Sequence, residues 1–132
     1  MRIRISEATY KEIIKQLSYN AREKMGIIGS SGKNVIDRFI LDAEALSERY
    51  YCRLSVSNVA ALFDATSFFV GTVHGHPSGK YELSDADLVY ARKMICASKG
   101  LPFILMGIVS DDLLYLYWVN GSNVIPLDLL IV

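Results

Sequence analysis

The sequence predicts an α+β fold: a single domain over residues 1–132, with a mixed, strongly twisted sheet flanked by helices. Three observations lead there. Two long stretches have helical apolar periodicity, the shorter runs around them read as strands bounded by turn residues, and no repeat, low-complexity segment or linker divides the chain. With 132 residues, 52% of them hydrophobic, the chain is long enough to bury a real core.

The elements follow in order. From Ser6, the residues Tyr10, Ile13, Ile14 and Leu17 fall at i, i+3, i+4 and i+7, which makes one apolar stripe. Ser6 is the expected N-cap, Ile5 and Tyr10 a hydrophobic staple, and Asn20 or its neighbours the end of the helix. Met25 to Ser30 and Val35 to Leu41 read as two strands of a hairpin turned by "SSGKN". Glu44 to Arg49 reads as polar connection, "YYCRLSV" as a short strand, and Ser57 to Ala65 as a short helix with Val59, Leu62 and Phe63 inward. Phe68 to His76 is a strand with a fully apolar start, the mark of a central position. Ser84 to Ser98 is a second long helix, with Leu88, Ala91 and Ile95 on one face and Gly100 as its C′ residue. Pro102 to Ser110 and Leu113 to Asn120 form a hairpin around "SDD", and "NGSN" leads into a last strand, Val124 to Val132. That strand ends on apolar residues, so it is expected to be buried in the sheet, or against a second copy of the chain in a homodimer.

Composition excludes several classes. Fourteen Lys and Arg balance fourteen Asp and Glu, so nothing asks for nucleic acid or an anionic membrane. The N-terminus lacks the apolar core of a signal peptide, and the run from Leu101 to Val109 is too short to span a bilayer. Cys52 and Cys96 form no C-x-x-C pair and read as two buried free thiols of a cytoplasmic protein, with a disulfide between them as the alternative. "GSSGK" has the wrong spacing for a phosphate loop.

The chemistry concentrates in "HGHPSGKYELSDAD", His74 to Asp87, which holds both histidines of the chain. On a strand, His74 and His76 point to the same side, about 6.5 Å apart at Cα, and can share one metal ion. Pro77 ends the strand, six residues turn the chain, and Ser84 starts the helix with Asp87 one turn in. Ser84-x-x-Asp87 taken alone is a helix cap favoured by the dipole, a role that Asp85 could share. With the histidines on one strand–turn–helix unit, it completes a set of three ligands. Catalytic zinc keeps three protein ligands and an open fourth position, and neither cysteine stands in the stretch to close it.

These residues resemble the JAMM motif of the MPN (Jab1/Mov34) metallopeptidases: His-x-His-Pro, six residues, then Ser-x-x-Asp. "EKMG", Glu23 to Gly26, resembles the upstream Glu-x-x-Gly of that family, and the order of elements resembles its whole core. Gly75 stands where the family often has Ser or Thr, and Leu83 where it often has Pro; neither is a ligand position. The resemblance implies an MPN-like (cytidine-deaminase-like) domain. It implies one Zn2+ per chain on His74, His76 and Asp87, Glu23 as general base and Ser84 as oxyanion donor. It implies a compact, prokaryotic-type isopeptidase that hydrolyses the amide bond after the Gly-Gly tail of a ubiquitin-like protein. An inactive MPN scaffold and a RadC-like protein of the same superfold are the alternatives. A zinc nucleoside deaminase would need His-x-Glu and Pro-Cys-x-x-Cys, which are absent.

Overall fold

The computed structural model describes residues 2–18, 24–32, 34–42, 46–47, 52–53, 69–97 and 102–132. The chain opens with β1 (Arg2–Ile5) and α1 (Glu7–Leu17). Ser6 is the N-cap, its hydroxyl oxygen accepting from the Thr9 N–H at 3.2 Å. The helix ends near Asn20 as expected, and its C-cap is Ser18. The Ser18 N–H and hydroxyl both donate to the Ile14 carbonyl, at 3.1 and 2.7 Å. The predicted stripe is the buried one: Ile13 and Leu17 are fully covered, and Tyr10 and Ile14 pack against the same cluster. Covering a side chain of that size contributes about 1.5–3 kcal/mol.

Next come β2 (Met25–Gly29), β3 (Val35–Ile36) and β4 (Arg38–Asp42). The expected hairpin forms, since β2 and β4 pair antiparallel, but its second strand is divided. Val35 and Ile36 pair parallel with β1, while the Asp37 N–H donates to the Gly29 carbonyl at 3.1 Å. The Asp37 carboxylate also accepts from the backbone and hydroxyl of Ser31, so side-chain chemistry in the turn splits the strand. A separate two-stranded ribbon pairs β5 (Leu46–Ser47) with β6 (Cys52–Arg53), so the segment read as polar connection contributes a strand. The helix expected over Ser57 to Ala65 and the cap expected at Gly100 lie outside the described residues.

The remainder is β7 (Phe69–Gly75), α2 (Asp85–Ala97), β8 (Ile104–Ser110), β9 (Leu113–Val119) and β10 (Val124–Ile131). Eight strands make one mixed sheet in the order β3-β1-β10-β9-β8-β7-β2-β4. β7 and β8 run parallel at its centre with α2 as their crossover. Helix α1 touches both β4 and β9, which stand four strands apart, so the sheet must curl around it. One core fills that concave face beneath α1, and a second lies between the other face and α2. Gly71 allows β7 to lie close to β8, since a Cβ there would come within 1.8 Å of the Leu105 carbonyl oxygen. On α2, Ala91 and Met94 are buried and Leu88 and Ile95 partly so, as the spacing predicts. The free thiol of Cys96 is exposed, contrary to expectation, because position 96 falls beyond the stripe set by Met94 and Ile95. The side chain of Cys52 lies outside the described residues. Among the described residues no helix is long and apolar enough to cross a membrane.

The last strand is inside the sheet, between β9 and β1. Its side chains are less covered than expected: Leu130, Ile131 and Val132 are 42%, 47% and 49% exposed. Backbone pairing fixes a strand in place, whereas burying its side chains needs a second layer over them. The pairing itself is extensive. Leu129, Leu130 and Ile131 register with Ile3, Arg4 and Ile5, and the Val132 N–H donates to the Ile5 carbonyl at 2.9 Å. Deleting Leu129 to Val132 is expected to lower the melting temperature by about 5 °C or more in a thermal scan, because β1 loses that partner.

Candidate metal centre

The site forms where β7 ends. His74 is the penultimate residue of β7, paired to Met25 on one side and Ile108 on the other. The Gly75 N–H donates to the Lys24 carbonyl at 3.1 Å, and the His76 N–H to the Val109 carbonyl at 2.8 Å, so the end of the histidine strand is held from both flanks. After Pro77 the chain turns at Gly79, whose φ of 79° suits a type II turn closed by the Lys80 N–H on the Pro77 carbonyl at 3.0 Å.

The loop then crosses to α2, where Ser84 and Asp87 form a reciprocal cap. The Asp87 N–H donates to the Ser84 hydroxyl oxygen at 3.1 Å, and the Ser84 N–H donates to Asp87 Oδ2 at 2.9 Å. The cap therefore aims the Asp87 carboxylate back over the strand end. His74 Nε2 and His76 Nε2 lie 2.8 Å apart, with Asp87 Oδ1 3.3 Å from the former and Oδ2 3.4 Å from the latter. The two readings of Asp87, as cap and as ligand, are compatible: the carboxylate that caps α2 also faces both imidazoles.

All three side chains are buried: His74 is 1%, His76 7% and Asp87 2% exposed. Burial by itself raises the pKa of the Asp87 carboxyl. Hydrogen bonds with His74 and His76, the charge of His74 and the Ser84 N–H outweigh it and hold the group well below the usual carboxylate range. A buried anion facing two imidazole nitrogens is what a cation needs. Zinc at bond lengths of about 2.0–2.2 Å sets tetrahedral ligands roughly 3.3 Å from one another, close to the observed separations. The residues present thus fit the metal, and among the described residues no fourth His, Cys, Asp or Glu joins the group.

A feature invisible to local sequence reading holds the ligand loop. The "SDD" stretch is a two-residue turn with positive φ at Asp111 (53°) and Asp112 (60°), as a type I′ hairpin requires. The turn presents the Asp111 carboxylate to the loop, where it accepts from the Ser78 hydroxyl and, at 3.1 Å, from the Gly79 N–H. These two bonds, set against slight desolvation, keep the Asp111 pKa below its ordinary value. The Ser110 hydroxyl donates to the Pro77 carbonyl at 2.8 Å, and the Tyr117 hydroxyl to the Tyr81 carbonyl at 2.5 Å. The β8–β9 hairpin therefore clamps the segment between the histidines and Asp87. More than thirty residues separate the partners in sequence, so no motif announces them.

Glu23, expected as general base, lies outside the described residues. Its sequence neighbours Lys24 and Met25 are the residues that pair with Gly75 and His74.

No protein-family model matches the chain, and no curated protein does. Solved structures do match. One is the solution structure of DSY2949 from Desulfitobacterium hafniense, at TM-score 0.67 and 14% identity, covering 98% of this chain and 92% of that one. Another is AF2198, a Jab1/MPN domain protein from Archaeoglobus fulgidus, at TM-score 0.57 and 19% identity, covering 98% of each chain. A third is described as JAMM, a metalloprotease-like zinc site in the proteasome and signalosome, at TM-score 0.55 and 18% identity, covering 98% and 99%. The chain has the JAMM/MPN-like fold: a small curved, nearly barrel-like mixed sheet with helices on its two faces.

Proposed function

We propose that this protein is a zinc-dependent peptidase that hydrolyses the amide bond following the Gly-Gly tail of a ubiquitin-like protein, acting in the cytoplasm. The observation that carries the reading is the convergence of His74 Nε2, His76 Nε2 and the Asp87 carboxylate on one point, with no fourth protein ligand among the described residues. Structural zinc takes four protein ligands; three leave one position for chemistry. The similarity in fold to a metalloprotease-like zinc site supports the same class.

Zinc held by these residues supplies a Lewis acid and brings the pKa of water to about 7. The chain does the rest. Glu23 takes the proton of the attacking water and returns it to the leaving amine. Ser84 donates to the developing oxyanion. Its hydroxyl oxygen already accepts from the Asp87 N–H, which fixes the side chain and leaves its proton to give away. A tail of two glycines suits the site because a backbone without Cβ atoms can approach the metal closely. An extended tail also gains main-chain hydrogen bonds along a strand edge.

The test is a ubiquitin-like protein fused through Gly-Gly to a peptide or a lysine side chain. Cleavage is expected after the second glycine, is expected to stop with a chelator, and is expected to fall when that glycine becomes valine. Equal cleavage of the valine substrate would remove the tail from the proposal, and activity that depends on DNA would favour the RadC-like alternative.

A further inference from the structure

Two buried side-chain polar atoms lack any hydrogen-bond partner among the described residues: Thr72 Oγ1 and His74 Nδ1. They belong to residues two apart on β7, whose side chains share one face of the sheet, with Cα atoms about 6.5 Å apart. Thr72 is fully buried between Ile27 of β2 and Met106 of β8. Valine has the same shape, favours a strand at least as well and carries no hydroxyl to desolvate. A threonine in this position therefore needs a reason other than packing.

His74 supplies one. Its Nε2 faces His76 and Asp87, so in the metal-bound form Nδ1 carries the ring proton. A metal-ligating histidine nearly always donates that second N–H to an acceptor, which fixes the tautomer and the ring plane and makes the ligand more basic. A hydroxyl oxygen accepts readily. Asp42 is the other buried acid on this face, but it registers with Met25, which stands between it and His74, about 9.5 Å away over two strand spacings.

We propose that Thr72 is a positioning residue of the metal centre: its Oγ1 accepts the Nδ1 proton of His74, directly or through one water, and so presets His74 for the metal. With the two Cα atoms about 6.5 Å apart and both side chains on one face of the sheet, a single bridging water is within reach of both groups. The inference rests on the metal reading of the site and extends it to a residue outside the motif.

The experiment measures zinc affinity by competition with a chromogenic chelator, and the melting temperature of the metal-free protein, for the parent, Thr72→Val and Thr72→Ser. Thr72→Val is expected to weaken zinc binding about 10-fold or more, the effect typical of losing a partner behind a ligand. Its metal-free melting temperature is expected to equal or exceed that of the parent, because a desolvated hydroxyl is gone. Thr72→Ser is expected to retain zinc affinity within about 3-fold, since it keeps the acceptor. Should the valine variant not fold, Thr72→Ala carries the same affinity test. Parent-like affinity in the valine variant would overturn the proposal, as would equal losses in the valine and serine variants. A parent that binds no zinc would instead bring down the metal reading, a distinct result visible before any variant is made.

Discussion

Glu23→Gln is expected to lower turnover of a Gly-Gly fusion by about 10²-fold or more while leaving zinc content and melting temperature near those of the parent. Glutamine nearly matches the carboxylate in shape but cannot take a proton from water, so the loss falls on the chemical step rather than on binding. The kinetic signature is a fall in kcat with little change in KM. The control is the set of other acids in the sequence: Glu44, Glu48 and Glu82 are open to the same substitution and are expected to keep activity. Retained activity in Glu23→Gln would move the base elsewhere and leave the metal centre standing.

Removing a ligand is the second large effect. Parent protein is expected to carry about one zinc per chain, and His76→Ala or Asp87→Ala to carry little after dialysis, as elemental analysis would show. The two variants should differ in stability. His76 is 7% exposed at the edge of the cluster, so its truncation mainly removes a nitrogen ligand. Asp87 also accepts from the Ser84 N–H at 2.9 Å, so Asp87→Ala uncaps α2 as well and is expected to lower the melting temperature further. Metal retained at the parent level in both would mean that the three groups are not the ligand set.

Much of this molecule follows from short-range rules. The stripe of α1, the Ser6 cap and the alternation that puts His74 and His76 on one side of β7 depend on residues within a few positions of one another. So does the reciprocal cap of Ser84 and Asp87, and such spacing is fixed by helix and strand geometry. The strand–turn–helix unit holding the three candidate ligands was readable for that reason. Where short-range reading failed, a competing local interaction decided. Asp37 with Ser31 divided the second strand of the first hairpin.

Other features required the chain to come together. Sequence could place Asp87 near a helix start but not bring its oxygens within 3.4 Å of both imidazoles; that takes the crossover of α2 between the parallel strands β7 and β8. Asp111 reads locally as a turn residue, and only the pairing of β8 beside β7 brings it to Ser78 and Gly79. Thr72 reads as an ordinary strand residue until the sheet closes over it and leaves its hydroxyl, like His74 Nδ1, buried without a hydrogen-bond partner among the described residues. The exposed apolar end of β10 is likewise a tertiary outcome, since hydrogen bonding to β1 does not depend on whether another layer covers the side chains. The sequence by itself determined the candidate ligand types and their spacing, because these repeat with the period of the backbone. Only the tertiary structure decided which distant groups hold, clamp and desolvate that site, because burial and long-range contact belong to the packed chain.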